Sequence, residues 1–113
     1  MIETIKASLA TATGLPVKPL AIKEVKNCII YTFYPQTDDG AVATYRLELR
    51  LITKTYEEAE YYRKLITETL VTTGDNIKIN GIYNCDLNGG GQLKEFETDT
   101  IHTLLYFDLV LRS

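Results

Sequence analysis

The sequence predicts an α+β fold: a mostly antiparallel four-stranded sheet with two helices on one face, in the chain order α-β-β-α-β-β. Apolar residues alternate with polar ones over residues 41–53 and again over residues 101–112, which is the two-residue period of a strand. Over residues 3–13 and 55–73 they recur instead at steps of three or four, as on one face of a helix. Turn-forming residues separate these segments, so turn chemistry and hydrophobic period agree.

The first predicted helix covers residues 3–13. Ile5 and Leu9 lie on its apolar stripe, and Gly14 stands where a helix end needs a left-handed residue. The next segment, residues 15–27, contains two of the chain's three prolines. Because proline lacks a backbone donor and restricts the residue before it, we expect an irregular connector here.

Two strands follow the connector. Residues 28–34 are a dense run of β-branched and aromatic residues that ends at Pro35, which predicts a strand covered on both faces. The Asp39-Gly40 pair predicts a hairpin turn into the second strand, residues 41–53. In that strand Leu and Tyr fall on one face and Arg and Glu on the other. The charged face must therefore meet water or a partner.

Thr55 and Glu58 have the spacing of a capping box, which predicts that the second helix begins at Thr55. The helix continues to about residue 73. Residues 76–86 predict a third strand with a bulge or break at its Asn-Gly pair. Residues 87–100 contain three consecutive glycines followed by acidic residues, and we expect a flexible loop there. A long C-terminal strand completes the chain.

Length, charge and composition narrow the classes of function. The 113 residues suffice for a single domain, residues 1–113, with its own core. A net charge of -3 offers no basic footprint for sequence-specific nucleic-acid binding. Eight tyrosines could stack on bases, but core and protein-interface roles suit them better without a basic groove. The first residues lack the apolar run of a signal peptide or membrane span, so we expect synthesis in the cytoplasm and no membrane contact.

Few residues are suited to catalysis or metal binding. Cys28 and Cys85 lie in apolar runs, where reduced, buried thiols are more common than a disulfide in a cytoplasmic protein. Even with His102, the chain's single histidine, they are too few for a zinc site. His102 could act as a general base, but no serine or cysteine nucleophile adjoins it in the sequence. We therefore expect no enzymatic activity, no bound metal and no cofactor.

The predicted loop has two further interpretations. Its glycines could cradle an anion, although the lysine and hydroxyl residue of a phosphate-binding loop do not follow them. Its carboxylates could bind a divalent cation, although no EF-hand-like glycine lies among them. A solvated acidic loop, or one ordered on assembly, is the simpler interpretation. The residues concerned are Asp86, Gly89, Gly90, Gly91, Glu95, Glu97 and Asp99.

The order of segments along the whole chain carries a resemblance. A short helix leads through TGLPV to the strand IIYTFYP, an acidic hairpin tip and the amphipathic strand YRLELRLIT. The helix TYEEAEYYRKLITETL, a loop and the final strand LLYFDLVLR follow. In this order the chain resembles the tail-terminator and tail-completion (head–tail joining) proteins of long-tailed bacteriophages and prophages.

The resemblance implies a non-enzymatic structural protein whose subunits assemble as a ring, typically a hexamer. Such a ring caps the tail tube and presents the surface to which the head joins. Its implied partners are other copies of itself, the tail-tube protein and the head-connector protein, with DNA passing through the lumen. Its implied location is the host cytoplasm during assembly and then the head–tail junction of the virion.

Two sets of residues are candidates for these contacts. Arg46, Glu48 and Arg50 form a candidate subunit interface, because a face with both signs of charge suits head-to-tail pairing; an ordinary solvated face fits equally well. Acidic segments would suit a lumen that must not retain DNA, although they also serve solubility. The candidate lumen or assembly loops contain Asp38, Asp39, Gly89, Gly90, Gly91, Glu95, Glu97 and Asp99.

Two alternatives remain open at this stage. The main one is a stand-alone α+β domain that binds a small ligand or a protein through its sheet face and glycine loop. A small hydrolase or metal-dependent enzyme is the third possibility.

Overall fold

A computed structural model describes residues 1–19, 27–38, 40, 42–71, 78, 79 and 81–112. The elements in this part of the chain are α1 (Ile2–Thr13), β1 (Val17–Pro19), β2 (Cys28–Asp38), β3 (Val42–Thr53), α2 (Tyr56–Leu70), β4 (Ile82–Glu95) and β5 (Thr100–Arg112). The α+β class and the two helices agree with the expectation from the sequence. The number of strands and their order do not.

The sheet has five strands in the order β1-β2-β3-β5-β4, and it is mixed. Its β1–β2 pair is parallel, whereas β2–β3, β3–β5 and β4–β5 are antiparallel. The predicted four-stranded sheet and the order α-β-β-α-β-β are therefore wrong. The additional strand, Val17–Pro19, lies in the predicted connector and pairs with Ile29–Tyr31. Three residues that follow Pro16 and include Pro19 show no periodicity, and only the neighbouring strand gives them a β conformation.

Strand β4 corrects a second expectation. The sequence predicts a flexible loop over residues 87–100, but residues 87–95 form the second half of β4, and only residues 96–99 lie in a turn. Backbone pairing to β5 continues from Gly90 to Glu95 after an irregularity between Leu87 and Gly90. Ladder hydrogen bonds need backbone groups rather than side chains, so a glycine-rich segment can form a strand when a long neighbour is present.

Both helices pack on the same face of the sheet, where the main core forms. Ile5 and Leu9 of α1 and Ile66 of α2 are fully buried in one cluster with side chains from the strands. The odd-numbered residues of β3 face this cluster, including Leu47 and Leu49, as the alternation predicts. Burying one such side chain contributes roughly 1.5–3 kcal/mol.

The helix ends follow the predicted local chemistry. Gly14 after α1 has φ 73°, and its N–H donates to the carbonyl of Ala10. At the start of α2, the Thr55 hydroxyl accepts a hydrogen bond from the Glu58 N–H at 3.2 Å. The capping box is thus confirmed at its first residue, and α2 begins directly after it. The sequence predicts that this helix continues to about residue 73, but it ends at Leu70, and Val71 is extended with φ -66° and ψ 123°. Gly74, where the sequence predicts the helix terminator, lies outside the described residues.

A test of the β4 assignment uses two glycines of the triplet. Gly90 has φ 142°, and a Cβ there would stand 2.2 Å from the carbonyl oxygen of Leu104, whereas a Cβ on Gly91 meets nothing within 4 Å. We expect Gly90→Ala to lower the free energy of unfolding by about 1–3 kcal/mol because the backbone is strained and crowded. Gly91→Ala is the matched control and should change it by less than about 0.5 kcal/mol. Urea unfolding of both variants measures the difference; equal stabilities would contradict the close approach of β4 to β5.

Candidate functional site

One face of the sheet carries no helix in the described part of the chain, and we call it the open face. Its central rows run across β2, β3 and β5, and each row joins residues that are paired in the sheet register. The outer row at Arg46 is charged and aromatic, the middle row at Glu48 is polar and aromatic, and in the other outer row Arg50 lies between two apolar neighbours. The rows are Tyr34, Arg46 and Asp108; Thr32, Glu48 and Tyr106; and Ile30, Arg50 and Leu104.

Arg46 lies at the centre of a charged cluster on this face. Its Nε is 3.2 Å from Oε2 of Glu48, and its Nη1 is 3.5 Å from Oδ1 of Asp108. Its guanidinium also stacks over Tyr106, with 4.9 Å between Cζ and the ring centroid. The hydrogen bond to Glu48 raises the pKa of Arg46, burial opposes this, and Asp108 adds to it. Arg46 is thus held as a fixed positive charge whose partners lie within the same chain.

Arg50 differs from the other two residues of the predicted interface. Its side chain is exposed, and it makes no ion pair with any residue that the structure describes. Its cross-strand neighbours are the apolar Ile30 and Leu104. The structure therefore brings Arg46, Glu48 and Arg50 onto one face, as the alternation predicts, and leaves Arg50 as the cation facing outward.

The described acidic residues of the predicted lumen loops lie at two opposite ends of the sheet. Asp38 is the last residue of β2, beside the β2–β3 turn; its side chain and the whole of Asp39 lie outside the description. The acidic residues after the glycines lie in and beside the β4–β5 turn, where Asp99 is 3.2 Å from Lys94 Nζ. The 12 residues of β3 separate the two ends by roughly 35 Å at the usual rise of about 3.3 Å per residue. The structure therefore does not bring the two acidic segments together.

A groove that the sequence did not predict lies between α2 and β4. It has a volume of about 700 Å³. Glu60 and Arg63 of α2 form one side, and the backbone of Gly89, Gly90 and Gly91 forms part of the other. In the sequence, only the glycine triplet pointed to this groove. The groove could not be predicted from it, because it forms only when the triplet lies in a strand beside the helix.

His102 is buried at the apolar end of the open face, beside the cluster of Cys28, Ile30 and Ile52. Its Nε2 is 3.1 Å from Oγ1 of Thr100, and its Nδ1 has no hydrogen-bond partner in the described part of the chain. A catalytic histidine usually has a third group that orients its second nitrogen. Among the residues that the structure describes, no third group orients Nδ1 of this histidine.

Cys28 and Cys85 are both buried and are not joined in a disulfide, as the sequence predicts. Burial raises the pKa of the Cys85 thiol to about 12, and the charges of Asp86 and Asp108 add to the shift. A thiol with this pKa is almost entirely protonated at neutral pH and is a poor nucleophile. Over the described ranges, no three His, Cys, Asp or Glu side chains converge as a metal site would require. Neither described helix has the length and apolarity to cross a bilayer.

The environment of His102 predicts a pH effect on stability. Burial lowers its pKa, Arg50 of β3 lowers it further, and Glu95 of β4 opposes the shift. A lowered pKa in the folded state means that neutral His102 supports the fold above its unfolded pKa of about 6.5. That support is lost as the pH falls from this value toward the lower folded one.

We expect the wild-type chain to lose more stability than His102→Leu between about pH 7 and pH 5. Urea unfolding at several pH values measures this as the difference between the two proteins, in which the carboxylates common to both cancel. A constant difference across that interval would contradict a buried neutral histidine.

Comparison with known proteins finds similarity at the level of the fold. No protein-family model matches the sequence, and no curated protein matches it. Among solved structures, a chain from the virion of a native gene transfer agent particle has the same fold, with a TM-score of 0.69. The match covers 98% of this chain and 93% of that chain at 13% sequence identity. At this identity the similarity establishes a shared fold, and function must be argued from the surface.

Proposed function

We propose that this chain is a non-enzymatic structural subunit of a phage-like virion. In this proposal it forms a ring, with six copies as the expected number, which caps the tail tube and joins the tail to the head. The observation that carries the proposal is the fold shared with a chain of a gene transfer agent virion over nearly the full length of both chains.

The open face supports a role in assembly. A long sheet face that no described helix covers has polar, aromatic and apolar side chains in adjacent rows. Arg and Tyr are enriched at protein interfaces, where their planar groups contact a partner with little loss of conformational entropy. The Arg46 cluster is already fixed by contacts within the chain, so it presents a preorganised surface to a partner.

The proposed partners follow from this position in the virion. They are neighbouring copies in the ring, the tail-tube protein and the head-connector protein. DNA would pass through the lumen without sequence-specific contacts. Assembly would take place in the host cytoplasm, and the mature location would be the head–tail junction.

A second candidate function rests on the groove between α2 and β4. Its volume of about 700 Å³ is within the range of small-ligand sites, and it has charged residues on one side and backbone on the other. A stand-alone domain that binds a small ligand or a peptide would use this groove. It would not require self-assembly.

The oligomeric state separates these two functions. We expect the purified chain to form, with increasing concentration, a species with the mass of about six subunits, and tail-tube protein should promote it. Native mass spectrometry and light scattering measure the mass, and electron microscopy would show a ring. A chain that stays monomeric at high concentration, alone and with tail-tube protein, would contradict the ring and favour the stand-alone domain.

The role of the open face is tested at Arg50, because its charge has no described partner within the chain. We expect Arg50→Glu to weaken ring formation at least tenfold, since a cation that faces a partner's acidic group becomes an anion. Lys64→Glu on α2 makes the same change of charge at another exposed position and serves as the control. Sedimentation at several concentrations gives the association constants. If both variants assemble like the wild type, the open face is a solvated surface.

A further inference from the structure

We propose that the outer edge of β4 is a self-association site. There the β4 strands of two copies pair antiparallel, with Gln92 of one copy directly opposite Gln92 of the other. This contact would join two sheets into one continuous sheet with a twofold axis at the seam. The inference does not depend on the function proposed above, because it rests on the edge of the sheet rather than on its open face.

The outer edge of β4 is exposed. In the described part of the chain, β4 is the last strand of the sheet, and nothing pairs with its outer side. Its residues 88–94 are all exposed. Unpaired backbone N–H and C=O groups of a long edge strand are a template for another strand. Two of the chain's exposed large apolar side chains, Leu93 and Phe96, lie at this end, with 44% and 82% of their surface accessible.

The two edges of the sheet are protected unequally. All three prolines of the chain lie at the opposite edge: Pro16 and Pro19 beside or in β1, and Pro35 in β2. Proline prevents further pairing because it lacks a backbone donor. Pairing of β4 with the β1 and β2 edge of another copy is therefore disfavoured. The β4 edge has no proline, and beyond the irregularity between Leu87 and Gly90 its backbone pairing is regular from Gly90 to Glu95.

The sequence of β4 complements itself when two copies run antiparallel. Gln92 divides the segment into a half without side chains, Gly89 to Gly91, and a half with side chains, Leu93 to Glu95. Pairing about Gln92 places Leu93 of each copy opposite Gly91 of the other. Lys94 then lies opposite Gly90, and Glu95 opposite Gly89. Each large side chain thus meets a position where the partner offers space.

The sheet register agrees with this pairing. Gly91 pairs with Leu104 and Leu93 pairs with His102 on β5, so both residues belong to the open face. Partners directly opposite each other across a seam must share a face, and these do. The contact would cover Leu93 with the partner's backbone and bring the exposed Phe96 next to the partner's Asn88. The occupant that this edge fits is therefore a second copy of the same strand.

A charge-swap experiment tests the pairing and its register. Gly91→Lys combined with Leu93→Lys places lysines opposite each other twice across the seam, and like charges in cross-strand pairs repel. Both positions tolerate the change within the fold, since Leu93 is substantially exposed and a Cβ on Gly91 meets nothing within 4 Å. We expect dimerisation of the lysine variant to be at least tenfold weaker than that of the wild type. The matching variant, Gly91→Glu with Leu93→Glu, should show the same loss.

Mixing the two variants provides the decisive comparison. Lysines of one copy then face glutamates of the other, so an equimolar mixture should form heterodimers that neither variant forms alone. Native mass spectrometry distinguishes them from homodimers by mass. Circular dichroism and urea unfolding verify that each variant is folded. Folded variants that dimerise as well as the wild type, or a mixture that forms no heterodimer, would overturn the proposal.

A cysteine at the centre of the seam gives a second measurement. Gln92→Cys should form an intermolecular disulfide under mild oxidation, because residue 92 of each copy faces its equivalent. Cys28 and Cys85 are fully buried and do not compete. Glu97→Cys in the exposed turn is the control, and it should cross-link at least tenfold more slowly. Equal cross-linking at residues 92 and 97, or none at residue 92, would overturn the register.

The masses of the assembled species distinguish edge pairing from the proposed ring. A six-membered species that is unaffected by the lysine variant would overturn edge pairing and leave the ring intact. A dimer that is lost in the lysine variant, with no larger species at any concentration, would support edge pairing and contradict the ring. A wild-type chain that remains monomeric would overturn both.

Discussion

Strand β3 is paired along its length with β2 on one side and β5 on the other, and the rest of the structure depends on this arrangement. Successive side chains of a strand point to opposite faces, and pairing on both sides fixes which residues of β3 lie on each face. Its odd-numbered side chains form the floor of the core under α1 and α2, while Arg46, Glu48 and Arg50 stay on the open face. A shift by one residue would bury these charges and expose Leu47 and Leu49.

Several side chains of the open face are held in place by contacts with one another. Arg46 is held by Glu48, by Asp108 and by the ring of Tyr106, so a charge that would be mobile on an ordinary strand has a fixed position. Exposed ion pairs of this kind contribute little to stability. Their value lies in presenting a rigid pattern of charge, which a partner can recognise without ordering long side chains. The ion pairs of this face therefore add little to stability, and assembly is the role proposed for it.

Strand β4 shows how glycine can mark a strand as well as a loop. At Gly90 the chain needs a backbone conformation and a close approach to Leu104 that a side chain would prevent, whereas Gly91 has open space around it. The same three residues form part of the groove beside α2 and leave the outer edge of the sheet free of side chains. The glycine triplet therefore accounts for the irregularity in β4, for one side of the groove and for an outer edge without side chains.

The sequence by itself determined both helices, the capping box at Thr55, the two faces of β3 and the buried state of Cys28 and Cys85. All of these depend on residues close together in the chain, where periodicity and capping chemistry are visible. Only the tertiary structure decided that Val17–Pro19 form a strand, that the glycine triplet lies in β4, and that the two acidic segments lie at opposite ends of the sheet. Each of these depends on a neighbour that is distant in sequence, because a short or glycine-rich segment becomes a strand only when a partner supplies its backbone hydrogen bonds.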